Sequence, residues 1–320
     1  MISSKPLTII TMLFFSLMIS ACDQKPTLQH ETVQNQTITV EHEQGTTEVM
    51  VNPKKVIVFN TETLDTLDAL GIPVAGLPQT SNALPDFLKQ YEGKNYLNVG
   101  TLFEPDYEKL SHFAPDLIIA GGRTADSYEK LSEIAPTIAL SIDPRDFMGS
   151  LTQRTRQLGK LFNKEAIAES KLAEFKQKVA QIKNAVAGSG TALVIMVNGG
   201  KMSAYGPGSR FGFVYDELGF TPALTLKQTG RHGSVINAEM LLETNPDWLF
   251  VIDRDSAIGN RNALSAKAVL NNALVNKTTA MKKNRIIYFD STAMYIAGGL
   301  QAYSQLLDQL SPYFDSQKAN

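Results

Sequence analysis

Three arginines follow predicted strands or a glycine-rich turn, at positions suited to binding an oxygen-rich anion. Arg123 in the segment AGGR and Arg254 in the segment IDR come just past apolar runs, and Arg210 ends the loop YGPGSR. Ligands of parallel α/β sheets bind beyond the carboxyl ends of the strands. A guanidinium is always charged and makes paired hydrogen bonds to planar anions. Only nine of the thirty basic residues are arginine, so this placement predicts an anion-binding cleft. The alternative for any one of them is a surface ion pair.

Two further side chains could ligate a metal within such a cleft. His232 lies in the flexible segment GRHG, and Tyr295 follows the last predicted strand in the segment MYIAGG. A neutral imidazole and a phenolate both ligate ferric iron, and the phenolate oxygen suits this hard ion well. Each residue taken alone is more often a packing or hydrogen-bonding group. We expect both in the cleft, while direct ligation stays open. A bare zinc or manganese site is disfavoured, because such sites need several His and carboxylate ligands and the chain has four histidines.

An internal repeat supplies the frame for two of the arginines. The segment Tyr107–Arg123 (YEKLSHFAPDLIIAGGR) aligns without gaps to Ala238–Arg254 (AEMLLETNPDWLFVIDR). Both share a glutamate at the second position, Glu108 and Glu239, and then a leucine, a Pro-Asp pair and the final arginine. Each copy reads as a short helix, a turn and a buried strand. The repeat predicts two similar lobes.

The rest of the chain alternates predicted strands with predicted helices. This order predicts an α/β protein of two Rossmann-like lobes with mainly parallel sheets and a ligand cleft between them. We place the N-terminal lobe at 37–143, a helical connector at 144–187 and the C-terminal lobe at 188–320. Within the connector, an apolar stripe from Ala168 to Val186 predicts one long inter-lobe helix, capped by Asn163. The alternative is a helix packed within a single lobe.

The first residues predict export and lipidation. A lone lysine precedes an apolar stretch from Leu7 to Ile19, which is too short to span a bilayer and typical of a signal peptide. The segment ISAC ends it, so residues 1–21 are predicted as a lipoprotein signal peptide, Cys22 as the lipidated residue and 22–36 as a flexible tether. The alternatives are an ordinary secretory signal with a chance cysteine, or a buried N-terminal strand. Cys22 is the only cysteine, which excludes an intrachain disulfide framework.

Charge and motif content disfavour two broad classes of function. With 30 basic and 32 acidic residues the formal net charge is −2, so the chain lacks the basic excess typical of nucleic-acid binding. It contains no GxSxG, GxxxxGK[ST] or GxGxxG motif, the signatures of serine hydrolases, phosphate-binding loops and dinucleotide sites. A lipid-anchored enzyme therefore remains only a remote alternative.

Taken together, the segments AGGR, GSRFG, IDR, GRHG and MYIAGG resemble those of periplasmic substrate-binding proteins that serve ferric-siderophore and cobalamin ABC importers. The resemblance covers roughly residues 37–315. It is strongest to the catecholate branch, which includes enterobactin-, petrobactin- and anguibactin-type binders. The resemblance implies that Arg123, Arg210 and Arg254 face an anionic ferric catecholate, with His232 and Tyr295 as candidate iron ligands. It implies no intrinsic cofactor, since the ferric siderophore is the transported ligand; haem or cobalamin is the alternative ligand.

The same resemblance implies the partners and the location of the protein. One surface glutamate per lobe would dock on arginines of an inner-membrane ABC permease with its ATPase; Glu108 and Glu239 match by position, with Glu104 and Glu243 as fallback candidates. The alternative for Glu108 and Glu239 is an ordinary first-turn glutamate favoured by the helix dipole. Acylated Cys22 would hold the protein in the periplasm, or on the outer face of the cytoplasmic membrane in a Gram-positive cell. The protein is expected to act as a monomer.

Overall fold

A computed structural model describes residues 36–79, 82–226 and 232–315. The predicted signal peptide, Cys22 and all but the last residue of the predicted tether lie outside these ranges. The described residues belong to one compact unit. Within them, no helix combines the length and the apolar character needed to cross a membrane.

The first half of the compact unit contains an antiparallel hairpin and a five-stranded sheet. The hairpin pairs β1 (Thr37–His42) with β2 (Gly45–Met50). The sheet has the order β5-β4-β3-β6-β7, and all its pairings are parallel. Its strands are β3 (Val56–Val58), β4 (Gly76–Leu77), β5 (Leu97–Asn98), β6 (Leu117–Ala120) and β7 (Thr137–Ala139). These strands are largely buried, as the apolar runs predict.

The second half contains a six-stranded mixed sheet. Its order is β11-β9-β8-β12-β13, with β10 also paired to β8. The strands are β8 (Thr191–Asn198), β9 (Lys201–Tyr205), β10 (Thr221–Pro222), β11 (Ser234–Ile236), β12 (Trp248–Asp253) and β13 (Ile286–Tyr288). Strand β9 pairs antiparallel with both β8 and β11, so this sheet is mixed, whereas the sheet of the first half is entirely parallel. The antiparallel β8–β9 hairpin turns at Gly199 and Gly200, whose φ angles of 56° and 76° suit a two-residue hairpin turn.

Eleven α-helices lie within the described ranges. They are α1 (Thr61–Ala69), α2 (Tyr107–Phe113), α3 (Tyr128–Ser132), α4 (Phe147–Leu161), α5 (Glu165–Val186), α6 (Phe213–Asp216), α7 (Ala238–Thr244), α8 (Arg254–Ala257), α9 (Ala266–Leu270), α10 (Thr279–Lys282) and α11 (Leu300–Asp315). Short 3₁₀ segments occur at Asp86–Tyr91, Gly122–Ser127, Pro144–Asp146 and Val275–Lys277, and a π-helical segment at Ala293–Ala297.

The predicted long helix is α5. Its 22 residues extend about 33 Å at 1.5 Å per residue, and the predicted apolar stripe is buried along its length. The predicted cap is wrong. Asn163 has a φ of 54° and lies before the helix, while Lys164 is the capping residue and makes no side-chain cap hydrogen bond. The left-handed conformation of Asn163 instead reverses the chain after α4.

Two other helices accompany α5 across the junction of the lobes. Helix α4 buries Phe147 in the core of the second half and Leu158 in the core of the first half. Helix α11 does the same with Ala302 in the first core and Leu306 in the second. Since three helices bridge the two cores, we expect a stiff hinge that permits small lobe motions.

The internal repeat is visible as matched local structure. Helices α2 and α7 each begin at a side-chain N-cap, and each ends in a left-handed residue before the Pro-Asp pair. Asp116 accepts the backbone N–H of Lys55 at 2.8 Å, and Asp247 accepts that of Thr191 at 3.0 Å. In both copies the aspartate therefore holds the start of the neighbouring strand. This shared role accounts for the aspartate that recurs in both copies.

A buried aspartate ties the two halves together. Asp65 of α1 is fully buried and accepts the backbone N–H groups of Gly299 at 3.2 Å, Gln301 at 2.6 Å and Ala302 at 2.9 Å, at the start of α11. Those amides have no partner within the helix, so Asp65 supplies the acceptor they need.

Replacing Asp65 with alanine is expected to lower the free energy of unfolding by roughly 2–4 kcal/mol, because it leaves these buried amides without an acceptor. Urea unfolding followed by circular dichroism measures the loss. The exposed Asp86→Ala variant is the control and should change stability by less than about 0.5 kcal/mol. Equal stability of the two variants would show that the contact does not hold α11.

Candidate functional site

The carboxyl edges of both sheets face one cavity of about 820 Å³. All five predicted ligand-site residues line it: Arg123, Arg210, His232, Arg254 and Tyr295. Arg123 follows β6, Arg254 follows β12 and Tyr295 follows β13. The structure therefore brings the five predicted side chains to one cavity, and their role in ligand binding stays a prediction.

Arg254 is fixed by two hydrogen bonds at the cavity wall. Its Nε donates to the hydroxyl oxygen of Tyr295 at 2.8 Å. Its Nη1 donates to Oδ1 of Asn198, the last residue of β8, at 3.0 Å. These contacts hold the guanidinium in one orientation while other donors of the group remain available for an anion.

Tyr295 lies beside two guanidinium groups. The central carbon of Arg210 is 4.6 Å from the Tyr295 ring centroid, and that of Arg254 is 5.4 Å away. Arg210 also donates from Nη2 to the backbone oxygen of Tyr295 at 2.6 Å. Burial by itself raises the pKa of Tyr295. The hydrogen bond from Arg254 and the charges of Arg254, Arg210 and Arg123 outweigh burial, so the net pKa lies below the usual value. The phenolate of Tyr295 therefore forms more readily than that of a free tyrosine.

The backbone that carries Tyr295 is anchored on the opposite half of the molecule. It forms the π-helical segment Ala293–Ala297, which ends at Gly298 with a φ of 74°. The hydroxyl of Thr61 in α1 donates to the backbone oxygen of Ile296 at 2.6 Å. The Tyr295 segment is therefore tied to α1 of the first half, while its ring contacts Arg210 and Arg254 of the second.

Arg123 lies beside an exposed aromatic ring. Its guanidinium is 5.9 Å from the centroid of Phe103, which also lines the cavity and is 68% exposed. The turn before it needs glycine, because a Cβ on Gly121 would lie 2.4 Å from the backbone oxygen of Leu140. The pair offers a cation and an aromatic face at the cavity mouth, a combination suited to a flat, charged ligand.

His232 is exposed and lies at the start of the segment leading into β11. Across the described ranges, no three His, Cys, Asp or Glu side chains cluster in a way that would hold a metal ion.

Glu62 is a cavity residue that the sequence reading missed. It lies in the first turn of α1, just after β3, and its Oε1 accepts the backbone N–H of Ile142 at 2.7 Å. The strand-end rule that selected the arginines would have found it. Burial raises its pKa to about 8 against the opposing Ile142 hydrogen bond; the negative charges of Glu43 and Asp65 add to the rise, and Arg210 opposes it. Phe103 was also missed, because an aromatic residue in a loop carries no distinctive pattern.

Glu108 and Glu239 lie in the first turns of α2 and α7 and are exposed. Neither lines the cavity. The fallback candidates Glu104 and Glu243 are exposed as well, so exposure alone does not choose between the two pairs.

Comparisons with known proteins agree with this architecture. The family described as periplasmic binding protein matches residues 56–293. The crystal structure of the periplasmic catecholate-siderophore binding protein VctP from Vibrio cholerae superimposes with a TM-score of 0.82 at 33% identity, covering 87% of this chain and 100% of VctP.

Two curated relatives extend the comparison over most of the chain. The petrobactin-binding protein YclQ of Bacillus subtilis is 39% identical over 302 residues, which cover 92% of this chain and 94% of YclQ. The ferric-anguibactin-binding protein FatB of Vibrio anguillarum is 34% identical over 265 residues, 81% of each chain. The chain therefore belongs to the periplasmic binding protein family, in the group that includes siderophore-binding proteins.

Proposed function

We propose that this protein captures a ferric siderophore of the catecholate or mixed catecholate type and delivers it to an ABC permease for iron uptake. The observation that carries the proposal is the placement of Arg123, Arg210 and Arg254 around one cavity together with Tyr295. The similar proteins are named for petrobactin, anguibactin and catecholate siderophores. Haem or cobalamin, the alternative ligands of the same importer class, are less suited to a cavity with three cations.

Each group of cavity residues has a distinct role in this proposal. The three arginines neutralise the anionic ferric complex and orient its oxygen atoms. Phe103 and Ile258 cover the aromatic rings of the ligand from the cavity wall. Tyr295 and His232 complete the iron coordination where the siderophore leaves sites open. Binding favours a modestly closed arrangement of the lobes, within the range that the three bridging helices allow.

The location and partners follow from the same assignment. We place the protein outside the cytoplasm, anchored to a membrane through acylated Cys22, with the ABC permease and its ATPase as protein partners. The first lobe is assigned to 37–143, the connector to 144–187 and the second lobe to 188–320. The protein acts as a monomer that binds and releases its ligand without catalysis, and it has no nucleic-acid partner.

The ligand class can be tested by calorimetric titration of the purified protein with preformed ferric complexes. A ferric tris-catecholate is expected to bind with a Kd below about 1 μM, which corresponds to a binding free energy of about −8 kcal/mol or more negative. An uncharged ferric hydroxamate should bind at least about 100-fold more weakly, since it offers the arginines no net negative charge. Tighter binding of haem or cobalamin than of every ferric catecholate in the panel would contradict the proposed function.

A further inference from the structure

Glu62 presents one carboxyl oxygen to the protein and the other to the cavity. Oε1 accepts the N–H of Ile142. Among the described residues Oε2 has no hydrogen-bond partner, and it is not sealed from the cavity that Glu62 lines. A neutral carboxylic acid has one carbonyl oxygen that accepts and one hydroxyl that donates. The Ile142 contact fits the carbonyl oxygen, which leaves the hydroxyl on the cavity side.

The groups around Glu62 determine whether its side chain is a neutral acid or a carboxylate. Burial, Asp65 on the same helix and Glu43 near the β1–β2 hairpin all favour the neutral acid, while the Ile142 amide and Arg210 favour the carboxylate. The start of α1 also favours the carboxylate. Tyr303 of α11 interacts with Glu62 and is itself held neutral, because burial raises its pKa. The other ionisable groups on the cavity wall are Glu92, Arg123, His232, Arg254 and Tyr295.

An anion that enters this cavity shifts the protonation equilibrium of Glu62 towards the neutral acid. A negative ligand beside Glu62 repels a second negative charge there, and it also engages Arg210, which would otherwise compensate a carboxylate. Both effects favour the protonated acid. The hydroxyl at Oε2 can then donate to an oxygen of the ligand, whereas an ionised Glu62 would repel that same oxygen.

We propose that Glu62 contacts the ligand as a neutral carboxylic acid, donating a hydrogen bond from Oε2 to a ligand oxygen, so that capture in mildly alkaline solution takes up one proton. The proton comes from solvent and stays on Oε2, and no bond within the ligand breaks. This inference rests on the proposed function and names a binding residue beyond the three arginines.

The direction in which ligand affinity changes with pH follows from the pKa of Glu62 in the free and in the bound protein. The free protein has a Glu62 pKa of about 8, and the bound anion raises it further. Between these two pKa values the complex holds a proton that the free protein has lost, so affinity falls as pH rises, by up to about tenfold per pH unit. Below the free value both states are protonated, and affinity no longer depends on this group.

Calorimetry with a hexadentate ferric tris-catecholate at pH 8.5, in buffers of different ionisation enthalpy, tests the proposal. A group with a pKa of about 8 is about three-quarters ionised at pH 8.5, so the wild-type protein is expected to take up about 0.7 of a proton more than Glu62→Gln on binding. The variant preserves the shape and the hydrogen-bond donor of the neutral acid but cannot take up a proton in this pH range. Comparing the two proteins removes any protonation of the ligand itself, which is common to both.

Two controls make the outcome specific. Glu92→Gln removes another negative charge from the same wall and should leave proton uptake at the wild-type value. Infrared difference spectra of the wild-type complex should show a protonated carboxyl band that Glu62→Gln lacks. Equal proton uptake by wild type and Glu62→Gln, or its loss in Glu92→Gln instead, would overturn the inference. Failure of the wild type to bind any ferric catecholate would overturn the proposed function itself.

Discussion

Replacing Arg254 with alanine is expected to weaken the binding of a ferric tris-catecholate by about two to three orders of magnitude. The change removes one of the three cavity cations and the charge-assisted hydrogen bonds that it would donate to the anionic ligand. It also removes the bonds that hold this guanidinium to Tyr295 and Asn198, so the cavity wall becomes less ordered. A charge-assisted hydrogen bond contributes about 1.5–3 kcal/mol, and its partner is left unpaired when it is lost. A loss of about 3–4 kcal/mol of binding free energy corresponds to the expected decrease in affinity of two to three orders of magnitude. Titration of both proteins with the same ferric complex measures it.

The control for Arg254 is an arginine outside the cavity. Arg156 pairs with Glu169 on the surface, and Arg156→Ala should change the affinity by no more than about twofold. Tyr295→Phe is the companion variant, since it keeps the ring between the guanidiniums but removes the hydroxyl. A changed charge-transfer spectrum in that variant would indicate ligation of iron by the phenolate. Wild-type affinity in Arg123→Ala, Arg210→Ala and Arg254→Ala alike would contradict the assignment of the cleft.

The effects of Arg254 and Tyr295 should not simply add, because the two side chains are in direct contact. Arg254 holds the phenol oxygen and helps to lower the pKa of Tyr295. Removing either partner therefore changes the environment of the other. A double-mutant cycle measures this coupling separately from the direct contacts of each residue with the ligand.

The features that could be predicted from the sequence are those encoded by neighbouring residues. The repeated helix, Pro-Asp turn and buried strand were readable because each carries its own pattern of caps, turn residues and apolar runs. Those patterns placed Arg123 and Arg254 at strand ends, and the strand-end rule then brought them to one cavity. The stripe along α5 was equally local, with apolar residues three and four positions apart.

Features that depend on distant contacts could not be predicted in the same way. The antiparallel strand β9 begins right after Gly199 and Gly200, and two adjacent glycines do not by themselves show whether the chain turns back to pair with β8. The crossing of three helices between the lobes depends on Phe147, Leu158 and Ala302 packing into cores assembled from other parts of the chain. The anchoring of the Tyr295 segment by Thr61 joins residues 235 positions apart. The spacing of apolar residues along the sequence gives no information about contacts between such distant positions.

We propose that Glu108 and Glu239 dock on the permease, and the geometry of the repeat gives this proposal a physical basis. Glu108 and Glu239 lie at the starts of helices that precede β6 and β12. A helix that packs beside the strand it leads into runs opposite to that strand, so its start lies near the strand's carboxyl edge. Each glutamate is therefore expected on the cavity side of its lobe, fixed to the same strand that carries Arg123 or Arg254. Closure of the lobes around a ligand would then set the distance between the glutamates.

Reversing both charges, with Glu108→Arg and Glu239→Arg in one protein, is expected to reduce iron uptake at least about tenfold while ferric-catecholate affinity stays within about twofold. The glutamates lie outside the cavity, so ligand capture is untouched. Two unfavourable charges against a basic permease surface cost several kcal/mol of docking free energy. Uptake of labelled iron by cells that depend on this protein measures the first quantity, and calorimetry of the purified variant measures the second.

The choice of residues is tested by matched exposed glutamates. Glu129 of α3 and Glu165 of α5 are exposed, and their double reversal imposes the same change in net charge without altering the repeat. It should leave uptake close to wild type, because the proposed contact is local and screened beyond about 8 Å in physiological salt. If reversal of Glu104 and Glu243 abolished uptake while reversal of Glu108 and Glu239 did not, docking would belong to the fallback pair. The shared second position in the repeat would then reflect the preference of helix starts for acidic residues.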